Sequence, residues 1–150
     1  MLKHYKIIYG IICTVAVLIL MLFIVDALTV TPIEEIESII KKATNEIEAR
    51  RFDYCMSLIS SQYRDEHHID PEGFKNNILT HLKGFSKINI DHERINIIEE
   101  SNGDYIAYLN TTIEYERPDF PRKLKTHSEY ILLFHKDSGL WKIKNIKTEK

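Results

Sequence analysis

The chain has 150 residues, 44 % hydrophobic and 28 % charged, with 20 basic against 22 acidic side chains, 2 Cys, 5 Gly and 4 Pro. That length suits one domain, and the composition excludes disordered, collagenous and disulfide-stapled chains. The near balance of charge argues against a dedicated nucleic-acid binder, which would carry a basic excess.

The apolar residues are unevenly spread. The stretch from Ile7 to Val25 (IIYGIICTVAVLILMLFIV) carries no charge. As a helix it would be about 28 Å long, enough to cross the hydrocarbon core of a bilayer with little tilt. Lys3 and Lys6 precede it, whereas Asp26, Glu34, Glu35 and Glu37 follow it before the first basic residue, Lys41. Basic flanks stay on the cytoplasmic side, so residues 1–6 are expected inside and everything after the span outside, at the inner or plasma membrane. A cleaved signal peptide shares the basic start, and Val25-Asp26-Ala27 fits a small-x-small cleavage site near Ala27. An uncharged run of 19 residues exceeds the 7–15 of a signal-peptide core, which favours an anchor. A lipoprotein signal needs a Cys just after the apolar run, and Cys13 lies in the middle of it. Cys55 is then alone in the domain, so no disulfide forms there, and the residue reads as a small buried hydrophobe.

Residues 26–32 read as a linker. Thr31-Pro32-Ile33-Glu34 is a helix start, with a T-x-x-E box and Pro at the first helical position. Ile33, Ile36, Ile40, Ala43 and Ile47 then form one apolar stripe to about Arg51. Asp53 is the expected cap of a shorter helix through Leu58 and Ile59 to about Tyr63, and RDEHHID is a polar loop. Asp70-Pro71-Glu72 starts a third helix, buried through Phe74, Ile78, Leu79 and Leu82 and ended by Gly84.

From Lys87 the period changes to two. Ile88 and Ile90, then Ile95 and Ile97, are out of phase by one residue, which marks a bulge or a break. Tyr105, Ala107, Leu109, Thr111, Ile113 and Tyr115 alternate in a second strand after the Ser101–Asp104 turn. Arg117-Pro118-Asp119-Phe120-Pro121 reads as a longer connection, exposed together with Arg122 and Lys123. Leu124 to Phe134 alternate in a third strand, and Trp141 with Ile143 in a last one after a turn at 136–139. The expected fold is α+β, with three helices packed on a curved four-stranded antiparallel meander, a half-cone with the first helix in its mouth.

The segments EIEARRFDYCMSLIS, SSQYRDE, DPEGFKNNILTHL, GDYIAYLNTTIEYE and EYILLFHKDSGLWKIKNIK, in this order, resemble the nuclear transport factor 2-like (SnoaL-like, cystatin-like cone) superfamily. The resemblance covers residues 33–147, leaving 148–150 as a tail. It implies a pocket inside the cone. Some members of that superfamily are enzymes, such as ketosteroid isomerases and scytalone dehydratase, and others bind ligands or dimerise through the open sheet, so the fold does not select a function.

The isomerase pattern needs an Asp base facing an acid donor in an apolar pocket. Strand phase turns Tyr105, Thr111, Tyr115, Ser128 and Tyr130 inward, none of them a carboxylate, and Glu114, Glu116 and Glu129 outward. Asp53, at the pocket mouth, is explained by capping. A dehydratase-type site would draw on Tyr63, His67, His68 and His81 from the helical half and on His127 and His135 from the sheet. The sheet pair shares the outward phase, and the spacing of the others fits no metal site. The expected pocket residues are Tyr63, Tyr105, Thr111, Tyr115, Ser128, Tyr130 and Trp141, and no catalytic, cofactor-binding or metal-ligating residue is assigned. The reading is a membrane-anchored extracytoplasmic domain, more binding module than enzyme, for a small apolar ligand, an envelope protein or a second copy docked on the sheet. The alternative is an isomerase or dehydratase with an unusual Tyr/His pocket.

Overall fold

The computed structural model describes residues 15–21, 29–65 and 69–149. The chain divides into two units, Met1–Pro32 and Ile33–Lys150. In the first, residues 15–21 are helical with exposed apolar side chains. The rest of the expected 7–25 span lies outside the described residues, and no helix among the described residues is long and apolar enough to cross a membrane. His67 and His68 also lie outside them.

The second unit is α+β. Three helices, α1 (Pro32–Glu48), α2 (Asp53–Ser57) and α3 (Pro71–Lys83), precede four strands: β1 (Lys87–Glu99), β2 (Tyr105–Arg117), β3 (Phe120–Asp137) and β4 (Leu140–Glu149). The strands pair antiparallel in chain order, as expected for a meander. The phase slip in β1 is a bulge within one continuous strand, between His92 and Arg94. A second bulge falls between Leu133 and Phe134 where β3 meets β4. Bulges sharpen twist, and long strands curl around the helices where they occur.

The apolar stripe of α1 packs on the concave face of the sheet. Ile36 and Ile40 are buried, with Ile39 and Ala43 against the same core, whereas Ile33 is exposed. The stripe therefore starts one turn later than its spacing suggests, and the helix stops at Glu48 before Arg50, which takes a positive φ of 60°. Across from Ile36, Trp141 is buried, meets Tyr105 edge to face at 5.2 Å, and donates its indole N–H to Glu35 at 2.6 Å. This end of the cone is solidly filled.

Asp53 does not cap α2. It is the first residue of the helix, Phe52 occupies the cap position, and no side chain bonds there. The helix also ends at Ser57, well short of Tyr63, because the next residues leave it to pair with the outer edge of β4. Ile143 N–H donates to Leu58 O at 2.7 Å, Ser60 N–H to Ile143 O at 2.9 Å, and Arg64 N–H to Lys144 O at 3.1 Å. That parallel pairing covers the sheet edge, a long-range preference that overrides local helix propensity. It also explains a second correction. His135, expected on the solvated face, is buried, with Nε2 at 2.8 Å from the Ser60 hydroxyl.

Asp70 accepts from Gly73 N–H at 2.6 Å with Pro71 at the first position of α3, as the sequence requires. The expected 117–121 connection is shorter than read. Arg117 pairs directly with Phe120 across a Pro118–Asp119 turn, and β3 starts there. Pro121 is tolerated here because it stands at a strand start. At the β3–β4 hairpin Ser138 and Gly139 both take positive φ, 53° and 82°, the pattern of a turn whose twist matches the strands.

Trp141 ties α1 to the closing hairpin, so Trp141→Ala in the full-length chain should cost about 3–5 kcal/mol in chemical denaturation. An unchanged midpoint would contradict this packing.

Candidate functional site

The filled end of the cone gives way to a cavity of about 220 Å³ under the C-terminal half of α1. Its roof is Ile39, Ile40, Ala43, Thr44 and Ile47 of α1. The apolar face of α3 (Phe74, Ile78 and Leu82) closes one side, and none of these three is fully buried. Ile90, Leu109, Ile113, Leu132 and Phe134 of the sheet form the floor, with Cys55 and Leu58 from the α2 region. Ala43 and Thr44, between the larger Ile40 and Ile47, are the small side chains of this roof and leave space beneath them. Among the described residues, no carboxylate lines the cavity.

Its polar side chains are few, and most satisfy one another. Thr44 Oγ1 lies 3.0 Å from Ile40 O, a contact in which only the hydroxyl can donate. Its oxygen is then the acceptor for His92 Nε2–H at 2.7 Å. That fixes the tautomer, so His92 Nδ1 accepts from the Thr111 hydroxyl at 2.9 Å. Burial of His92 pushes its pKa below the ordinary value, more than Asp91 and Glu48 nearby raise it. A neutral, doubly bonded imidazole results. Cys55 turns its S–H to Ala43 O at 3.4 Å, and burial pushes its thiol up to about 11. This is an inert thiol, not an activated one. Tyr130 also lines the cavity, and its hydroxyl makes no hydrogen bond among the described residues.

The residues expected in the pocket separate into groups. Thr111 and Tyr130 line the cavity. Tyr63 is fully buried, stacked on Phe74 with ring centroids 4.2 Å apart, and borders an adjoining cleft that shares Phe74, Leu109 and Tyr130 with the cavity. Its hydroxyl has no partner in bonding geometry, the Ile146 backbone amide being beside it, and burial pushes its pKa up to about 12. Tyr105 and Trp141 belong to the filled end. Tyr115 packs on Phe85 at 4.6 Å, and Ser128 sits opposite Thr111 in the ladder without reaching the cavity. His81 is exposed. His127, also exposed, contacts Thr112 at 3.1 Å on the outer face.

Sequence reading missed His92 and Thr44. The signal for His92 was present: Ile88 and Ile90 set an inward phase that His92 continues before the bulge. Thr44 stands at the edge of the apolar stripe of α1, where a polar residue reads as solvated. Among the described residues, no group of three or more His, Cys, Asp or Glu side chains could hold a metal ion.

No protein-family profile matches the chain, and no curated protein matches it. Solved structures do. A nuclear transport factor 2-like superfamily protein from Salmonella enterica superimposes with a TM-score of 0.67 at 15 % identity, over 78 % of this chain and 89 % of that one. An uncharacterised protein with a cystatin-like fold from Caulobacter vibrioides gives 0.63 at 13 % identity, over 77 % and 86 %. A hexachlorocyclohexane dehydrochlorinase gives 0.61 at 12 % identity, over 76 % and 81 %. The second unit therefore has the nuclear transport factor 2-like, cystatin-like cone fold.

Proposed function

We propose that this protein binds a small apolar ligand in the cone and is held at the outer side of a membrane by an N-terminal anchor. The cavity carries the first part. At about 220 Å³ it exceeds the ~150 Å³ apolar cavities that stay dry and take up benzene. Left empty and closed, such a void would cost on the order of 5 kcal/mol, a large share of the 5–15 kcal/mol that stabilises a typical domain. A hydrophobic occupant removes that cost. The uncharged stretch 7–25, with Lys3 and Lys6 before it and acidic residues after it, supports the anchor.

A non-catalytic role fits the chemistry better than the alternative. Proton abstraction needs a base with a free lone pair, and His92 spends both ring nitrogens on threonine hydroxyls. The isomerase or dehydratase reading retains one specific support, that His92 and Tyr130 line the same cavity as the Tyr/His pair such chemistry would use.

The outer sheet face supports docking of a second copy. Ile98 and Tyr108 are 40 % exposed there, beside Ile106, Ile131 and Leu133. One row across this face reads Arg94, Asn110, Glu129, and the Asn110 Oδ1 is buried without a partner. A two-fold axis parallel to β2 would set Arg94 over Glu129 of the other copy and the two Asn110 amides face to face.

Each part has its measurement. Naphthalene should bind the full-length chain in lipid nanodiscs, and Ala43→Phe, which fills the cavity from α1, should weaken it at least tenfold; equal binding would refute the site. A reporter active only outside the cytoplasm, fused after Lys150, should be active, with the chain kept in the carbonate-washed pellet. Cytoplasmic activity would overturn the orientation, and release of a shortened chain would favour cleavage near Ala27. Sedimentation should show a dimer that Arg94→Glu dissociates and Arg94→Glu with Glu129→Arg restores.

A further inference from the structure

The cavity has two polar regions of opposite character, and counting protons distinguishes them. On the wall formed by α1, His92, Thr111 and Cys55, every described side-chain proton is spent inside the protein. Thr44 O–H goes to Ile40 O, His92 Nε2–H to Thr44 Oγ1, and Thr111 O–H to His92 Nδ1. Cys55 S–H goes to Ala43 O in the same wall. A ligand carbonyl or carboxylate pushed against that wall would meet no donor and would lose its hydration without replacement. Hydrocarbon loses nothing there.

Tyr130 stands where the cavity meets the adjoining cleft. It lines both the main cavity and the adjoining cleft toward Ile146, Lys147 and Thr148, so it occupies the border between them. It is half-buried, and its hydroxyl is the side-chain donor of the cavity wall that no described residue uses. A phenol in that position can give one hydrogen bond to an oxygen arriving from the cleft side.

Resting on the ligand-binding reading above, we propose the class of ligand: an apolar body with a single hydrogen-bond acceptor, a ketone or ether oxygen, taken by Tyr130, with a purely hydrocarbon opposite end beneath Ala43 and Thr44. The site selects by the number and place of acceptors rather than by charge. Among the described residues no Asp, Glu, Lys or Arg lines the main cavity; Asp65 and Lys147 border only the adjoining cleft.

Three para-disubstituted benzenes of similar size test this on the full-length chain in lipid nanodiscs, with protein-free nanodiscs as the blank. They are 1,4-diisopropylbenzene with no acceptor, 4-isopropylacetophenone with one, and 1,4-diacetylbenzene with two. Tyr130→Phe should weaken 4-isopropylacetophenone about fivefold, the scale of one neutral hydrogen bond, and change 1,4-diisopropylbenzene less than twofold. The diketone should bind at least tenfold more weakly than the monoketone. The proposal is overturned if Tyr130→Phe shifts the monoketone and the hydrocarbon alike, or neither, or if the diketone binds as tightly as the monoketone. Should naphthalene bind the wild-type chain while this pattern is missing, only the ligand class fails; should no apolar probe bind, the cavity reading fails with it.

Discussion

Everything in the second unit depends on how one helix is laid across a curved sheet. α1 enters the cone beside Trp141, where Glu35 accepts the indole proton and Ile36 is wholly buried. That contact fixes the depth of the helix at one end. Four residues past Ile36 the helix still buries Ile40, but the next inward positions are Ala43 and Thr44. There the helix fills less of the space above the sheet, and Ile47 closes the far side of the roof. Close packing at one end and space at the other are therefore two results of a single geometry.

Such a space is tolerable only if its walls make no unmet polar demand. The two threonines solve this for His92, which β1 turns toward the cavity in phase with Ile88 and Ile90, just before its bulge. With both nitrogens bonded, the ring stays neutral and desolvation costs little. The same arrangement limits chemistry. A base whose lone pair is already bonded must break that bond before it can take a proton, and no carboxylate waits on the wall to compensate the charge. The folds to which this chain is similar include an enzyme, but fold carries no catalytic residues with it.

Much of the fold was legible in the sequence. Period-two alternation from Tyr105 to Tyr115 and from Leu124 to Phe134 marks the paired strands, and the Ile90-to-Ile95 slip marks a bulge or a break, of which the structure has the bulge. Asp70-Pro71 gave the cap of α3. What escaped was tertiary. Asp53 looks like a cap because Asp usually is one, yet the segment after Ser57 is drawn off to the edge of β4, a partner more than eighty residues away. His135 looks solvated until that segment covers it. The site was less legible than the fold for the same reason. Thr111 and Tyr130 follow from strand phase, whereas the partnership of Thr44 with His92 joins a helix edge to a bulge, and no local pattern encodes it.

The central claim is that α1 roofs a standing apolar cavity rather than a collapsed seam. A crystal structure of the protein under xenon pressure tests it most directly. The account predicts xenon between Ala43 of α1, Ile78 of α3 and the Leu109–Leu132 floor, with no displacement of Ile36 or Trp141. Absence of xenon there, with the side chains of α3 closed down onto the sheet, would contradict it.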